Sequence, residues 1–248
     1  MPAPLPLLLG LLLAAPATAP GAAMLDSGRF VIYDHGREVG TEAFAYQLSG
    51  DSLVVSATSE RRLRGADGSL RPLVKRMELV ADAFDYGLRR YVSNLDFDGH
   101  HDVKGIAPGD TLMSVYSERD SAGVGDRLVR PPGRLFVMDP LMFTLFDVIC
   151  RNLAGETFER RPVELITLGP KSSTEEATAT RGGLDTLHWG GAVVHARRFE
   201  LADSSSRFVA WVDAHGRMLR LEFAAAGLQV ERQPVARRGR PARRPRRR

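Results

Sequence analysis

The sequence predicts a mainly β protein: an antiparallel meander forming a curved sheet or half-barrel, with one apolar helix over about residues 140–153 packed against it and a disordered C-terminal tail. Three observations predict it. From Arg29 to Glu118, short alternating or β-branched runs are broken by Gly and Asp, with turn signals roughly every ten residues, as in sandwiches and barrels. Between Pro140 and Leu153 the period becomes helical, and the polar positions Thr144, Asp147 and Arg151 fall on one narrow stripe. The end of the chain, "QPVARRGRPARRPRRR", has no acidic residue and no large apolar residue after Val235, so it has nothing to bury.

The chain opens on an apolar run, Leu5 to Ala15, too short to cross a bilayer as a helix. Small residues at Gly21 and Ala23, or at Ala17 and Ala19, follow it, as in a secretory signal. The expected organisation is a signal peptide at 1–23, one β-rich domain at 24–232 and the tail at 233–248. That places the protein outside the cytoplasm, in the periplasm or extracellular space, with no transmembrane segment in the mature chain. Cys150 is the single cysteine, so no internal disulfide forms and stability has to come from a core.

Along the body, "RFVIY" turns at "DHGR" into "EVGTEAFAYQL", and "SLVVSATSE", "LRPLVKRMELV", "GLRRYVSNLDF" and "TLMSVYSE" follow as strands. "RDSAGVGDRLVRPPG" reads as a loop. Asp139 and Pro140 read as a helix start, the carboxylate capping free amides while proline takes the first turn. Gly155 reads as its stop. Asp147 and Arg151, four apart, are placed to pair, and so thin a wet face means that the helix is covered over most of its circumference. Strands resume at "TFERRPVELITLG", "STEEATATR", "AVVHARRFELA", "SRFVAWVD" and "RMLRLEFAA", the last two joined by "DAHGR".

The succession "IYDHGREVGTE", "MDPLMFTLFDVICRNL" and "FVAWVDAHGRMLRLEF" resembles an uncharacterised family of exported bacterial β-proteins related to the half-barrel carriers that ferry lipoproteins across the periplasm. The likeness spans about residues 28–224. Its marks are a Val-Gly pair in an early strand, Asp-Pro opening an apolar helix that ends near an arginine, and Trp-Val-Asp-x-x-Gly-Arg near the end. The resemblance implies a curved sheet whose covering helix encloses a space for acyl chains, and it supplies no catalytic residue.

The residues themselves carry no catalytic signature. There is no Gly-x-Ser-x-Gly elbow, His-Glu-x-x-His, Walker loop or Gly-x-Gly-x-x-Gly after a strand. Cys150 lies inside the apolar helix and reads as core. "DFDGHHD", Asp96 to Asp102, gathers metal-capable side chains, but neighbouring histidines rarely converge on one ion, and the segment reads as an Asp-rich turn. His35, His188, His195 and His215 read as surface or turn histidines, and Glu42, Glu60 and Glu78 as water-facing positions on alternating strands. Accordingly, no catalytic residue, metal site or cofactor is assigned.

Two functions stay open. In one, a non-enzymatic carrier holds a lipid or other apolar ligand in the half-barrel, with Leu141, Leu145, Phe146, Ile149 and Trp211 as candidate lining residues. In the other, a structural envelope protein has a filled core and meets anionic polymers non-specifically through Arg237, Arg238, Arg240, Arg243, Arg244, Arg246, Arg247 and Arg248. The 34 basic and 30 acidic residues give +4, so without those eight arginines the body stands at −4. "RRGRP" resembles the core of an AT-hook, but an exported protein rarely meets chromosomal DNA, and specific nucleic-acid recognition is not expected. Because the tail has no apolar area to bury, a chain ending at Arg232 is expected to melt within a few degrees of the full mature protein. A large drop in Tm would show that the tail docks on the acidic body.

Overall fold

The computed structural model describes residues 22–65, 67–169 and 171–234; most of the expected signal peptide and the arginine tail from 235 onward lie outside them. The first eight strands form a meander: β1 (Ala23–Asp34), β2 (Arg37–Ser49), β3 (Ser52–Arg64), β4 (Leu70–Asp82), β5 (Leu88–Phe97), β6 (His100–Pro108), β7 (Leu112–Arg119) and β8 (Ala122–Val129). A short β9 (Leu135–Met138) leads to helix α1 (Thr144–Ala154). After it come β10 (Arg160–Leu168), β11 (Ser172–Trp189), β12 (Ala192–Ala202), β13 (Arg207–Val212), β14 (Met218–Phe223) and β15 (Leu228–Arg232).

All fifteen strands belong to one sheet, because β15 returns to pair with β1, Phe30 opposite Arg232. The ends of the sheet are β8 and β9, and every pairing is antiparallel except β9 with β10. The sheet curls until β9 meets β5 and the Lys104 ammonium on β6 donates to the Leu168 and Gly169 carbonyls at 3.1 and 2.9 Å. The expected mainly β, antiparallel, curved architecture is what forms, and its closure is barrel-like.

Turn chemistry explains most of the meander. His35–Gly36, Asp98–Gly99 and Gly190–Gly191 all have positive φ at both positions, the backbone that lets a two-residue hairpin follow the strands' twist. Asp120–Ser121 does the same without glycine, at φ +48° and +71°. That missing glycine is why "RDSAGVGDRLVRPPG" reads as a loop, although it contains β8.

The helix occupies the concave side, against β9, β13 and β14, and nine of its eleven residues are buried. Phe146 packs on Phe208 with ring centroids 4.7 Å apart, and Phe208 meets Phe223 at 4.6 Å. The open volume beside the helix, among Leu79, Leu88, Leu135, Leu145 and Val148, is about 10 Å³.

Two local expectations need correction. The helix starts at Thr144, not Pro140, and Asp139 does not cap it: the N-cap residue is Phe143, without a cap from its own side chain. The Thr144–Asp147–Arg151 stripe is not a wet face, for Thr144 and Asp147 are wholly buried. Since Phe146 sits in a packed interior, Phe146→Ala is expected to cost about 3–5 kcal/mol in denaturant unfolding. A loss under about 1 kcal/mol would show that the site is loosely packed.

Candidate functional site

The structure gathers buried charges on the inner wall that faces α1 and the turn before it. The β ladder lines them up: Glu42 on β2 lies opposite Ser59 on β3, Ser59 opposite Lys75 on β4, and Ser93 on β5 opposite Lys104 on β6. Opposed residues share a face of the sheet, so this register draws a polar belt across five strands of an otherwise apolar interior.

Segment 139–144 lies over the belt and answers it group by group. Asp139 accepts from the Lys75 ammonium, from the Tyr91 hydroxyl at 2.6 Å and from the Ser93 hydroxyl at 2.8 Å. Lys75 also donates to the Pro140 carbonyl at 2.9 Å. Arg61 donates to the Leu141 carbonyl at 2.7 Å and stacks over the Phe143 ring. Glu42 accepts from the Phe143 and Thr144 amides at 2.9 and 2.6 Å and from the Thr144 hydroxyl at 2.5 Å. A glutamate from a distant strand therefore does the work of an N-cap, and its charge suits the positive end of the helix.

A second cluster holds the other half of the helix. Asp147 accepts from the Tyr46 hydroxyl at 2.7 Å, the Arg151 guanidinium at 2.9 Å and the Met218 amide at 2.6 Å. Arg151, over the Tyr46 ring, also pairs with Asp26 on β1, which Arg232 on β15 grips at 2.7 and 2.8 Å. Asn152 reaches the Asp85 carbonyl at 3.0 Å. Together these contacts join α1 to β1, β2 and β14 and, through Asp26, to β15.

Burial sets the proton affinities. It pushes the Glu42 carboxyl above its ordinary range, an effect that the hydrogen bonds to Thr144 and Phe143 and the Arg61 charge offset only in part. It pulls Lys75 down against the attraction of Asp139, and Arg61 down to about 10. At Asp26 burial is outweighed by Arg232 and Arg151 together, leaving the carboxyl below its usual range. Burial also pushes the Cys150 thiol well up, so it carries no thiolate reactivity at neutral pH.

Lys75, Ser93, Tyr91 and Asp139 would make a reactive set in a cleft, but all four are almost completely buried and hydrogen-bonded into the wall. Chemically, the arrangement holds a helix and a turn in place. Leu141 takes φ +76°, a conformation that costs an L-residue about 1 kcal/mol or more, and its carbonyl is pinned by Arg61.

The candidate lining residues are only partly brought together. Leu145, Phe146 and Ile149 are buried on the helix, and Leu141 is half-buried in the turn before it. Trp211 is elsewhere: its neighbours Ala210 and Val212 are buried, so Trp211 lies on the outer face, where its indole donates to Asp185 at 2.8 Å. An acyl-sized space next to Leu145 is also not found, since the roughly 10 Å³ there is far below the ~300 Å³ or more of a typical ligand pocket. The larger hollows are open surface clefts, about 580 Å³ beside Arg71, Asp98 and His101 and about 440 Å³ beside Asp82, Arg89 and Arg134. In "DFDGHHD", His100 pairs with Asp120 and His101 with Asp96, and no metal-capable group of three or more His, Cys, Asp or Glu occurs among the described residues.

Sequence reasoning missed Glu42, Lys75, Arg61, Tyr91 and Asp139 as partners. Glu42 was expected to face water but is fully buried, because its strand neighbour Ser59 and the helix start enclose it. The available signal was the Gly40–x–Glu42 spacing. A Cβ at Gly40 would lie 2.3 Å from the Glu60 carbonyl, so the Val-Gly mark is a place where β2 crosses close to β3, next to the glutamate that meets the helix.

Comparison with known proteins gives the fold alone. No family model matches the chain, and no curated protein does. Among solved structures it is similar to a β-barrel-like protein of domain of unknown function DUF1849 from Brucella abortus, with a TM-score of 0.53 and 11% identity over 86% of this chain and 98% of that one.

The raised Glu42 pKa gives a signed prediction. Stability from a group whose folded pKa lies above its unfolded value is complete below the unfolded value, about 4.3, and is lost as pH rises through the folded one. Acidification from neutral pH toward about 4.5 should therefore widen the stability gap between the wild type and Glu42→Gln. Urea unfolding across that window checks it, and a constant or narrowing gap would mean that Glu42 is not shifted upward.

Proposed function

We propose that this is an exported, non-enzymatic envelope protein: a barrel-like body plugged by its own helix, which meets anionic partners from the outside, the arginine tail included. One observation carries the reading. The space beside Leu145 and Val148 of α1 is about 10 Å³, and the buried polar groups Glu42 and Asp147 elsewhere along the helix are spent on holding it. The apolar leader and the small residues after it support export, and the −4 body beside an eight-arginine tail supports tail-borne affinity for polyanions.

The carrier reading requires α1 to move, because Leu145, Phe146 and Ile149 can line a ligand space only after the Glu42, Asp139 and Asp147 contacts open. Organic extraction of the purified mature protein followed by mass spectrometry separates the two readings. The filled-barrel reading expects no lipid near one equivalent and no displacement signal with a fluorescent fatty acid. Stoichiometric lipid would overturn it in favour of an internal apolar ligand.

A further inference from the structure

The alternation of strand directions sorts the molecule into two ends. One end carries the β2–β3, β4–β5, β6–β7, β8–β9, β11–β12 and β13–β14 connections and the last turn of α1; the other carries the remaining turns. The start of β1 and the end of β15 also lie at the first end, so both described termini emerge there.

The large exposed apolar side chains are divided unevenly between these ends. Met24 and Leu25, more than half exposed, stand at the start of β1. Phe84 projects from the β4–β5 turn with 93% of its surface in water. Leu112 and Val129 are paired where β7 begins and β8 ends, and Leu184 and Val193 share a face of the β11–β12 hairpin where it extends beyond β10. All seven sit on the first end, at four stations around its rim. The remaining three, Leu70, Tyr116 and Val124, lie at the other end or on the flank. Apolar groups scattered singly over a surface need no explanation, but a ring confined to one end does.

Basic groups accompany the ring. Beside Phe84 the cleft of about 440 Å³ is walled by Arg89, Arg130 and Arg134. Arg89 and Arg134 are matched by Asp82 and Asp85, whereas Arg130 among the described residues is held only by the Gly109 carbonyl at 2.9 Å. Pro234 lies against Gly190 at the β11–β12 tip, and the Trp189 indole donates to the Arg232 carbonyl at 2.6 Å. The fourteen residues that follow Pro234, eight of them arginine, therefore start from the same rim.

We propose that this rim docks on an anionic bilayer surface, its apolar tips entering the interface while arginines at the rim and in the tail meet lipid phosphates. Neither feature suffices alone. A body of charge −4 is repelled by anionic lipid until the tail reverses the balance, and a few apolar tips give only weak, reversible partitioning; surface anchoring takes two such signals. No helix of the described residues is long and apolar enough to span a membrane. The proposal extends the reading above by naming the surface met, and does not depend on whether the barrel interior is filled.

The test is co-sedimentation of the mature protein with vesicles of phosphatidylcholine and phosphatidylglycerol in equal parts. The triple variant Phe84→Ser, Val129→Ser, Leu184→Ser should partition at least about tenfold more weakly, with unchanged Tm because all three side chains are exposed. The far-end variant Leu70→Ser, Val124→Ser should bind like wild type. Absence of wild-type binding, wild-type partitioning by the rim variant, or equal losses in both variants would overturn the proposal. So would an equal loss of heparin binding by the rim variant in the absence of lipid, which would point to a soluble polyanion. None of these outcomes touches the lipid-extraction result, so the two readings fail separately.

Discussion

The free amides at the start of α1 constrain everything around them. A helix in the middle of a curved sheet has no water to satisfy its first N–H groups, and an unanswered one costs about 1–3 kcal/mol. Glu42 answers two of them and the Thr144 hydroxyl as well. That places a carboxylate in the interior, which in turn favours a nearby cation, and Arg61 supplies it while holding the Leu141 carbonyl. Asp139 and Lys75 repeat the logic one strand further on. The belt is thus a chain of compensations that begins with the decision to put a helix inside. Each member is worth little alone, but removing one leaves its partner buried and unpaired, a loss of about 3–5 kcal/mol.

The strands and hairpins were legible because their signals are local. "DHGR" announces its turn through Gly36, and the alternation in "SLVVSATSE" is the burial pattern of β3. The apolar character of residues 141–153 was legible too. What those residues touch was not. Periodicity shows that Thr144, Asp147 and Arg151 share a stripe, but a stripe facing water and a stripe facing Glu42, Tyr46 and Asp26 have the same period. Asp139-Pro140 reads as a cap by the same limitation, since its partners Lys75, Tyr91 and Ser93 are 46 to 64 residues away. Trp211 was placed among lining residues on chemistry alone, whereas the single-residue alternation of β13 turns it outward.

The packing around α1 also explains two sequence marks that had no assigned purpose. Gly216, at φ +77°, brings the β13–β14 turn against Arg151 and Ala154 at the helix end, and Asp213 organises that turn by accepting from the His215 and Arg217 amides. Trp-Val-Asp-x-x-Gly-Arg is thus a packing motif: inward Val212, a turn-forming Asp213, and a glycine without a Cβ where the helix passes. Gly40 does the same for β2 against β3. Both marks serve the approach of backbone to backbone around the plug, which is why neither leads to a reactive group.

A plugged interior moves the question of function to the surface, and there the molecule is polar in the geometric sense. Its plug is held from strands β1 to β5, β14 and β15, so the rigid centre lies where the first and last strands meet. The β7–β8 and β11–β12 hairpins reach beyond the pairing that closes the barrel, and along β8 nearly every residue is exposed. An edge strand of this kind usually invites pairing with another chain; here Gly123 and Gly125 deny it side-chain contacts, and Asp126 and Arg127 place charge along it, both of which discourage it. The apolar pairs that these hairpins carry to the rim, Leu112 with Val129 and Leu184 with Val193, are not protected in that way. Surface that is guarded against strand pairing yet left apolar at the rim suits a soft, non-directional partner better than another folded edge, and a lipid interface is such a partner.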